Sequence, residues 1–286
     1  MTTADQLTDP VAFHGEGPVW WPGWGGLRWV DMFAGDVLAL SADGTIERRH
    51  VGALAAALRP RSEHGAIIAT ARGFVLDDGD GTPLRVLPDV WDDPTVRMND
   101  GSCDPDGRFY MGSMALDHKN ELGRGALYRL DADGSVAVVV AGVTLSNGLD
   151  WSPDGSTAYY IDTTTRRVDA FDYDVDKGLT DRRPLVEIPD GAGDPDGMTV
   201  DADGCLWVAL YAGSAVHRYR PDGVLDGVVE LPVSRVTACT FGGDDLGELF
   251  ITTSRENLVD DAQPAAGALF RYRPGVQGMP ARPYAG

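Results

Sequence analysis

The sequence predicts an all-β fold, a six-bladed β-propeller with four antiparallel strands in each blade. Three observations predict it. Asp-Gly turns recur along the whole chain between short apolar runs, a short polar motif recurs at a nearly constant interval, and no helical periodicity competes with either.

The turns come in order at Ala42-Asp43-Gly44, Pro105-Asp106-Gly107, Ala132-Asp133-Gly134, Pro153-Asp154-Gly155, Ala202-Asp203-Gly204 and Pro221-Asp222-Gly223. Glycine supplies a positive φ without a steric cost and Asp bonds its own backbone, so each turn joins two strands. Residues 27–33, 66–70, 108–112, 157–161, 205–210 and 249–253 read as strands. The segments that precede these runs align as Gly15-Glu16-Gly17-Pro18, His64-Gly65-Ala66, Asn99-Asp100-Gly101, Asn147-Gly148-Leu149, Asp196-Gly197-Met198 and Val236-Thr237-Ala238. Their steps are 48, 35, 48, 49 and 40 residues, and 286 divided by six is about 48. A period of that size built from four short strands is a propeller blade, and six blades use residues 1–286 as one domain without a linker. Only residues 53–58 suit one turn of helix. A two-sheet sandwich would carry Asp-Gly hairpins too, but it does not repeat one four-strand unit six times.

With 44 Asp+Glu against 24 Lys+Arg the chain has a formal net charge of -20. Such a surface is repelled by nucleic-acid phosphates and anionic membranes, so the expected partners are neutral small molecules and cations. The two lysines, Lys119 and Lys177, lie outside apolar stretches that would lower an amine pKa, which argues against Schiff-base chemistry. Cys103, Cys205 and Cys239 are far apart and odd in number, and read as reduced core residues. The first ten residues have no signal-peptide pattern, and the longest apolar stretch, 51–58, is far short of a membrane span. A cytoplasmic location is expected.

In a propeller the innermost strand of each blade lines a central channel, so residues that enter those strands converge on one mouth. The entries carry Glu16, His64, Asn99, Asn147 and Asp196. Carboxylates and amide oxygens aimed at one point repel one another unless a cation sits between them. Glu16, Asn147 and Asp196 offer hard oxygen donors, suited to Ca²⁺, Mg²⁺ or Mn²⁺ and acceptable to Zn²⁺, and three protein ligands leave positions open for water and substrate. As isolated pairs, Asn-Gly and Asp-Gly would be ordinary turn residues. Their common phase in the repeat sets them apart. His64 could touch the site or be a rim histidine. No zincin spacing, nucleophile elbow, P-loop or dinucleotide motif is present.

These residues match a known pattern. Gly15-Glu16-Gly17-Pro18-Val19-Trp20, Arg97-Met98-Asn99-Asp100-Gly101, Gly125-Ala126-Leu127-Tyr128, Ser146-Asn147-Gly148-Leu149-Asp150-Trp151 and Pro195-Asp196-Gly197-Met198 make the chain resemble the senescence-marker/gluconolactonase/regucalcin family over about residues 15–275. The resemblance implies one divalent metal ion, Ca²⁺ first among the candidates, held by Glu16, Asn147 and Asp196. It implies that Arg97 and Asn99 bind the hydroxyl and ring oxygens of the substrate. Glu121, four residues before Gly125, corresponds to a family glutamate on a loop over the site that also contacts substrate.

The resemblance implies hydrolysis of sugar lactones to aldonic acids. In that reading the metal polarises the lactone carbonyl, water attacks, and Asp196 serves both as ligand and as general base. Glucono-, galactono- and pentonolactones are the substrates in view. Two alternatives remain at this level: a phosphotriesterase-like hydrolase on the same metal, and a non-catalytic calcium-binding or interaction propeller. A monomer or weak homodimer is expected.

Overall fold

The structure, a computed structural model, describes residues 2–79, 81–259 and 262–286. Six sheets, each of four antiparallel strands and one of them extended by a short fifth, are arranged as the blades of a β-propeller. The innermost strands are Gly15–Trp21, Ala57–Pro60, Val96–Cys103, Ser146–Trp151, Asp194–Val200 and Val236–Gly242. They define blades one to six.

The six strands expected from the apolar runs are the second strands of the blades. They span Gly26–Asp31, Ala66–Ala69, Phe109–Ala115, Thr157–Asp162, Leu206–Tyr211 and Glu248–Thr253. Their side chains are mostly buried, because neighbouring blades pack on both faces. The first of them stops at Asp31, where Met32–Ala34 forms a 3-10 turn. Residues 53–58 contain no helical turn and lead into the strand Ala57–Pro60, because Ala55, Ala56 and Ala57 pack in the core beside Ile67 and Ile68.

Two of the Asp-x-Asp-Gly turns have the same construction. Asp104 Oδ1 accepts the Asp106 and Arg108 amides at 3.0 and 2.8 Å, and Asp201 Oδ1 accepts the Asp203 and Cys205 amides at 3.1 and 2.8 Å. Gly107 and Gly204 then take φ of 78° and 82°, a region where a Cβ would clash.

A second recurrent device shapes the channel. The innermost strands of blades one, three, four, five and six each carry a register shift, between Glu16 and Val19, Met98 and Gly101, Ser146 and Leu149, Pro195 and Met198, and Val236 and Ala238. A bulge at the same phase re-aims the side chains it contains. Blade two pairs Ala57–Pro60 with Ala66–Ala69 in unbroken register and contributes alanines instead.

The N-terminal chain closes the ring. Asp5–Gln6 pairs antiparallel with Phe270–Tyr272 as the outer strand of blade six, and Thr2–Thr3 runs parallel to the outer strand of blade five. At the other end, residues 279–282 line the far end of the channel, and Tyr284 is buried with its amide bonded to Pro60 O at 2.8 Å. All three cysteines are buried and free.

Candidate functional site

Glu16, Asn99, Asn147 and Asp196 lie in or beside the bulges of their strands, and all four are buried polar side chains. The glycines beside them belong to the bulges and not to turns. An added Cβ on Gly197 would come within 2.5 Å of Ala238 Cβ, and one on Gly148 within 2.8 Å of Asp196 O. Glycine therefore lets adjacent inner strands approach, while the preceding polar residue faces the channel.

A chain of hydrogen bonds sets the amide orientations. Thr163 Oγ1 donates to Pro195 O at 2.8 Å, so toward Asn147 it acts as acceptor, and Asn147 Nδ2 donates to it at 2.8 Å. Asn147 Oδ1 then accepts from Asn99 Nδ2 at 2.8 Å, and Asn99 Nδ2 also reaches Ser146 O at 2.8 Å. Asn99 Oδ1 accepts from Arg97 Nη1 at 2.7 Å. Arg97 also lies over the Phe33 ring, 5.5 Å from its centroid. Arg97 and Asn99, assigned to substrate, and Asn147, assigned to metal, thus form one network that Thr163 ties to blade five.

The carboxylates lie outside that network. Glu16 Oε2 accepts only the Gly17 amide, at 3.1 Å, and no hydrogen bond among the described residues reaches the Asp196 carboxyl. Burial pushes Glu16 up to about 8, with Asp100 adding to the rise. Burial and then the charges of Glu16, Asp100 and Glu256 hold Asp196 well above the ordinary carboxylate range. Arg97 is pulled down to about 10 by burial, against the pull of Glu256, Glu16 and Asp196. Two buried carboxyls with so few donors are what a divalent cation relieves, and the oxygen set fits a hard cation. Among the described residues no cluster of three His, Cys, Asp or Glu side chains forms a ready metal cage. A Glu-Asn-Asp set contains only two such residues.

Other expected positions fall elsewhere. His64 lies between the first and second strands of blade two, with its side chain 60% exposed and 3.8 Å from Asp78. Because Glu16 enters its strand from the opposite end, His64 belongs to the far face, and the counterpart of Glu16 in blade two is the alanine run at 55–57. Glu121 sits on the loop 116–124, paired with Arg124, which in turn pairs with Asp93. The structure does not bring Glu121 into hydrogen-bond contact with Arg97 or Asn99.

The sequence reading missed His14, Asp100, Thr163 and Glu256. His14 is buried, with Nδ1 2.8 Å from Ser254 Oγ and Nε2 3.7 Å from Glu16 Oε1. Burial and then Arg97 lower it to about 3, so the ring stays neutral. Asp100 was visible beside Asn99, and His14 two residues before Glu16. Thr163 and Glu256 had no signal because they come from connections after second strands. Beyond Asp100 the channel narrows to a cavity of about 60 Å³ lined in part by Arg59, Asp150 and Arg282.

Known proteins share this architecture. Regucalcin from Danio rerio is 38% identical over 279 residues, covering 95% of both chains. A crystal structure of a calcium-binding protein, regucalcin, from Agrobacterium tumefaciens superposes with a TM-score of 0.92 at 29% identity, covering 99% of this chain and 97% of that one. A gluconolactonase from Xanthomonas campestris superposes with a TM-score of 0.76 at 27% identity, covering 94% and 88%. Residues 14–255 match the SMP-30/Gluconolactonase/LRE-like region, and the chain belongs to that family.

Proposed function

We propose that this protein is a divalent-metal-dependent lactonase that opens sugar lactones to aldonic acids. The observation that carries the reading is the placement of two under-bonded buried carboxyls, Glu16 and Asp196, beside the Arg97–Asn99–Asn147 network at one channel mouth. The gluconolactonase among the similar structures supports the same class.

Glu16, Asn147 and Asp196 are the residues that would hold the cation. When bound, a divalent cation supplies Lewis acidity toward a carbonyl oxygen. The remaining work belongs to the side chains. Arg97 and Asn99 hold the substrate hydroxyls, so that the lactone carbonyl is presented in one orientation and water attacks one face. Asp196, free of hydrogen bonds, accepts the proton of the attacking water at a carboxylate oxygen. The ring C–O bond then breaks, and the proton taken up by Asp196 passes to the departing ring oxygen, which becomes a hydroxyl of the aldonic acid.

The test is proton release from glucono-δ-lactone in weak buffer, after chelation and add-back of Ca²⁺, Mg²⁺, Mn²⁺ or Zn²⁺. Metal-restored acceleration over spontaneous hydrolysis supports the reading. Cation binding without acceleration of any lactone would favour a binding role, for which the calcium-binding relative gives a precedent.

A further inference from the structure

The outer edge of blade three is unlike the other five. It is the strand Val136–Val143, five of its eight residues valine, without a charge or a proline. Val139 and Val140 pack against the buried cluster that holds Tyr110, Leu127 and Trp151. The rest faces water: Val138 is 58% exposed and Val136 37%, and Ala137, Ala141 and Gly142 are exposed with them. The strand is paired on one side only, with Gly125–Leu130. Among the described residues no backbone hydrogen bond outside that pairing involves residues 136–143, so the outward amides and carbonyls of this edge have no backbone partner.

The other outer edges are blocked. Blade one ends in Ile46–His50 with Glu47, Arg48 and Arg49, and blade four in Gly178–Glu187 with Asp181, Arg182, Arg183 and Pro184. The outer strand of blade two is only Arg85–Val86. In blade five Leu225–Glu230 carries Asp226 and Glu230 and is overlaid by Thr2–Thr3, and in blade six the outer strand is the short Asp5–Gln6. Charge, proline, shortness and cover keep strand edges from pairing with other chains, and the edge at 136–143 has none of these four. It does carry bulges at Val139 and Gly142, where the register to Gly125–Leu130 shifts. They bend the strand and shorten the run that can pair at once, which keeps any association weak.

An unpaired edge specifies its occupant: an extended strand that offers amides and carbonyls in return. To lie against Val136 and Val138 that strand has to be apolar and uncharged. Among the described residues only 136–143 itself is such a strand at an edge. We propose that two copies of the protein pair through residues 136–142, antiparallel about a two-fold axis, into a closed dimer that joins the two blade-three sheets. The same patch serves on both sides and is used up in the pairing, so growth stops at two. Each copy carries a formal net charge of -20, so repulsion opposes the encounter and salt relieves it. The pairing stands independently of the lactonase reading.

The experiment is sedimentation velocity on the full-length protein from about 1 to about 300 µM, at about 50 and about 500 mM salt. The wild type is expected to show a monomer–dimer equilibrium half-dissociated at about 10–100 µM, in the range of small, weak interfaces, and tighter at the higher salt. Val138→Lys is expected to weaken the dimer at least about 10-fold with an unchanged circular dichroism spectrum, since the side chain is exposed in the monomer. Leu225→Lys, at a similarly exposed position on the outer strand of blade five, should leave the dimer as it is. Hydrogen exchange of the wild type should slow at the amides of residues 136–142 as concentration rises through the same range. A protein that stays monomeric throughout, a dimer that survives Val138→Lys, or exchange at 136–142 that ignores concentration overturns the proposal. Growth past the dimer overturns it too, because the edge would then be pairing with a different strand. Should Val138→Lys fail to fold, exchange in the wild type decides.

Discussion

In the metal-free protein burial penalises the charge of Glu16 and of Asp196, and neighbouring carboxyls repel it, so both carboxyls are raised above their ordinary range. The sign of the pH effect follows. Between the ordinary value of 4.5 and about 8, an unfolded chain has lost the Glu16 proton while the metal-free fold keeps it, so stability falls as pH rises through that window. His14 acts in the other direction, but only below its ordinary value of 6.5, since above it the ring is neutral in both states. Thermal melting in chelator should therefore show the midpoint falling from pH 6.5 to 8.5. Glu16→Gln should flatten the fall, and a bound divalent cation should abolish it. A wild-type midpoint that rises over this range contradicts the assignment. In activity, Glu16→Gln and Asp196→Asn are each expected to reduce metal-dependent turnover by at least about 100-fold with an unchanged circular dichroism spectrum. Asn99→Ala breaks the link between Arg97 and Asn147. It should lower kcat/KM for the lactone about 10- to 100-fold while metal affinity changes less than about fivefold, read by calorimetry beside the kinetics.

The bulge and its glycine are the element that builds the site. A Cβ at Gly197 meets Ala238 Cβ at 2.5 Å and Thr237 O at 3.0 Å, atoms of the next blade's inner strand. Gly197→Ala should therefore push blades five and six apart and move Asp196 with them. The expected loss is about 1–3 kcal/mol in urea unfolding, the cost of overpacking a filled interior, together with weaker metal binding. Gly227→Ala is the control: it lies in the outer strand Leu225–Glu230, and the nearest atom to its added Cβ is Arg218 Cβ at 3.8 Å. It should change stability by no more than about 0.5 kcal/mol. Similar losses for the two variants would remove the close-approach argument. Element phase also explains His64. The apolar run at 66–70 is a second strand, and in blade two the residues before it form a turn on the far face, because the inner strand, Ala57–Pro60, carries no bulge and no polar marker.

Ring closure belongs to the whole molecule. Asp5–Gln6 covers the edge of Phe270–Tyr272, and near the site His14 bridges to Ser254 while Thr237 Oγ1 donates to Gly15 O at 2.6 Å. Removing residues 1–7 uncovers the edge of Phe270–Tyr272 and leaves the seam between blades six and one to the inner strands and to residues 8–14, whose Val11 and Ala12 amides reach Gly267 O at 3.1 Å. The expected result is a melting midpoint lower by several degrees and a metal-free state more sensitive to proteolysis, with metal binding recovering part of the loss through linkage. An unchanged midpoint would show that the inner seam suffices. The sequence by itself determined the blade count, the second strands and the polar residues at one phase of the repeat, because local turn chemistry and hydrophobic patterning are written in neighbouring residues. It also singled out Glu16, Asn99, Asn147 and Asp196, since each bulge pairs its polar residue with a nearby glycine or acid in the chain. Only the tertiary structure decided that Thr163 orients Asn147, that Glu256 and Ser254 flank His14, and that Glu121 turns to Arg124. Those contacts join residues from different blades or depend on the course of a loop, and the closing of the ring, not local sequence, brings such partners together.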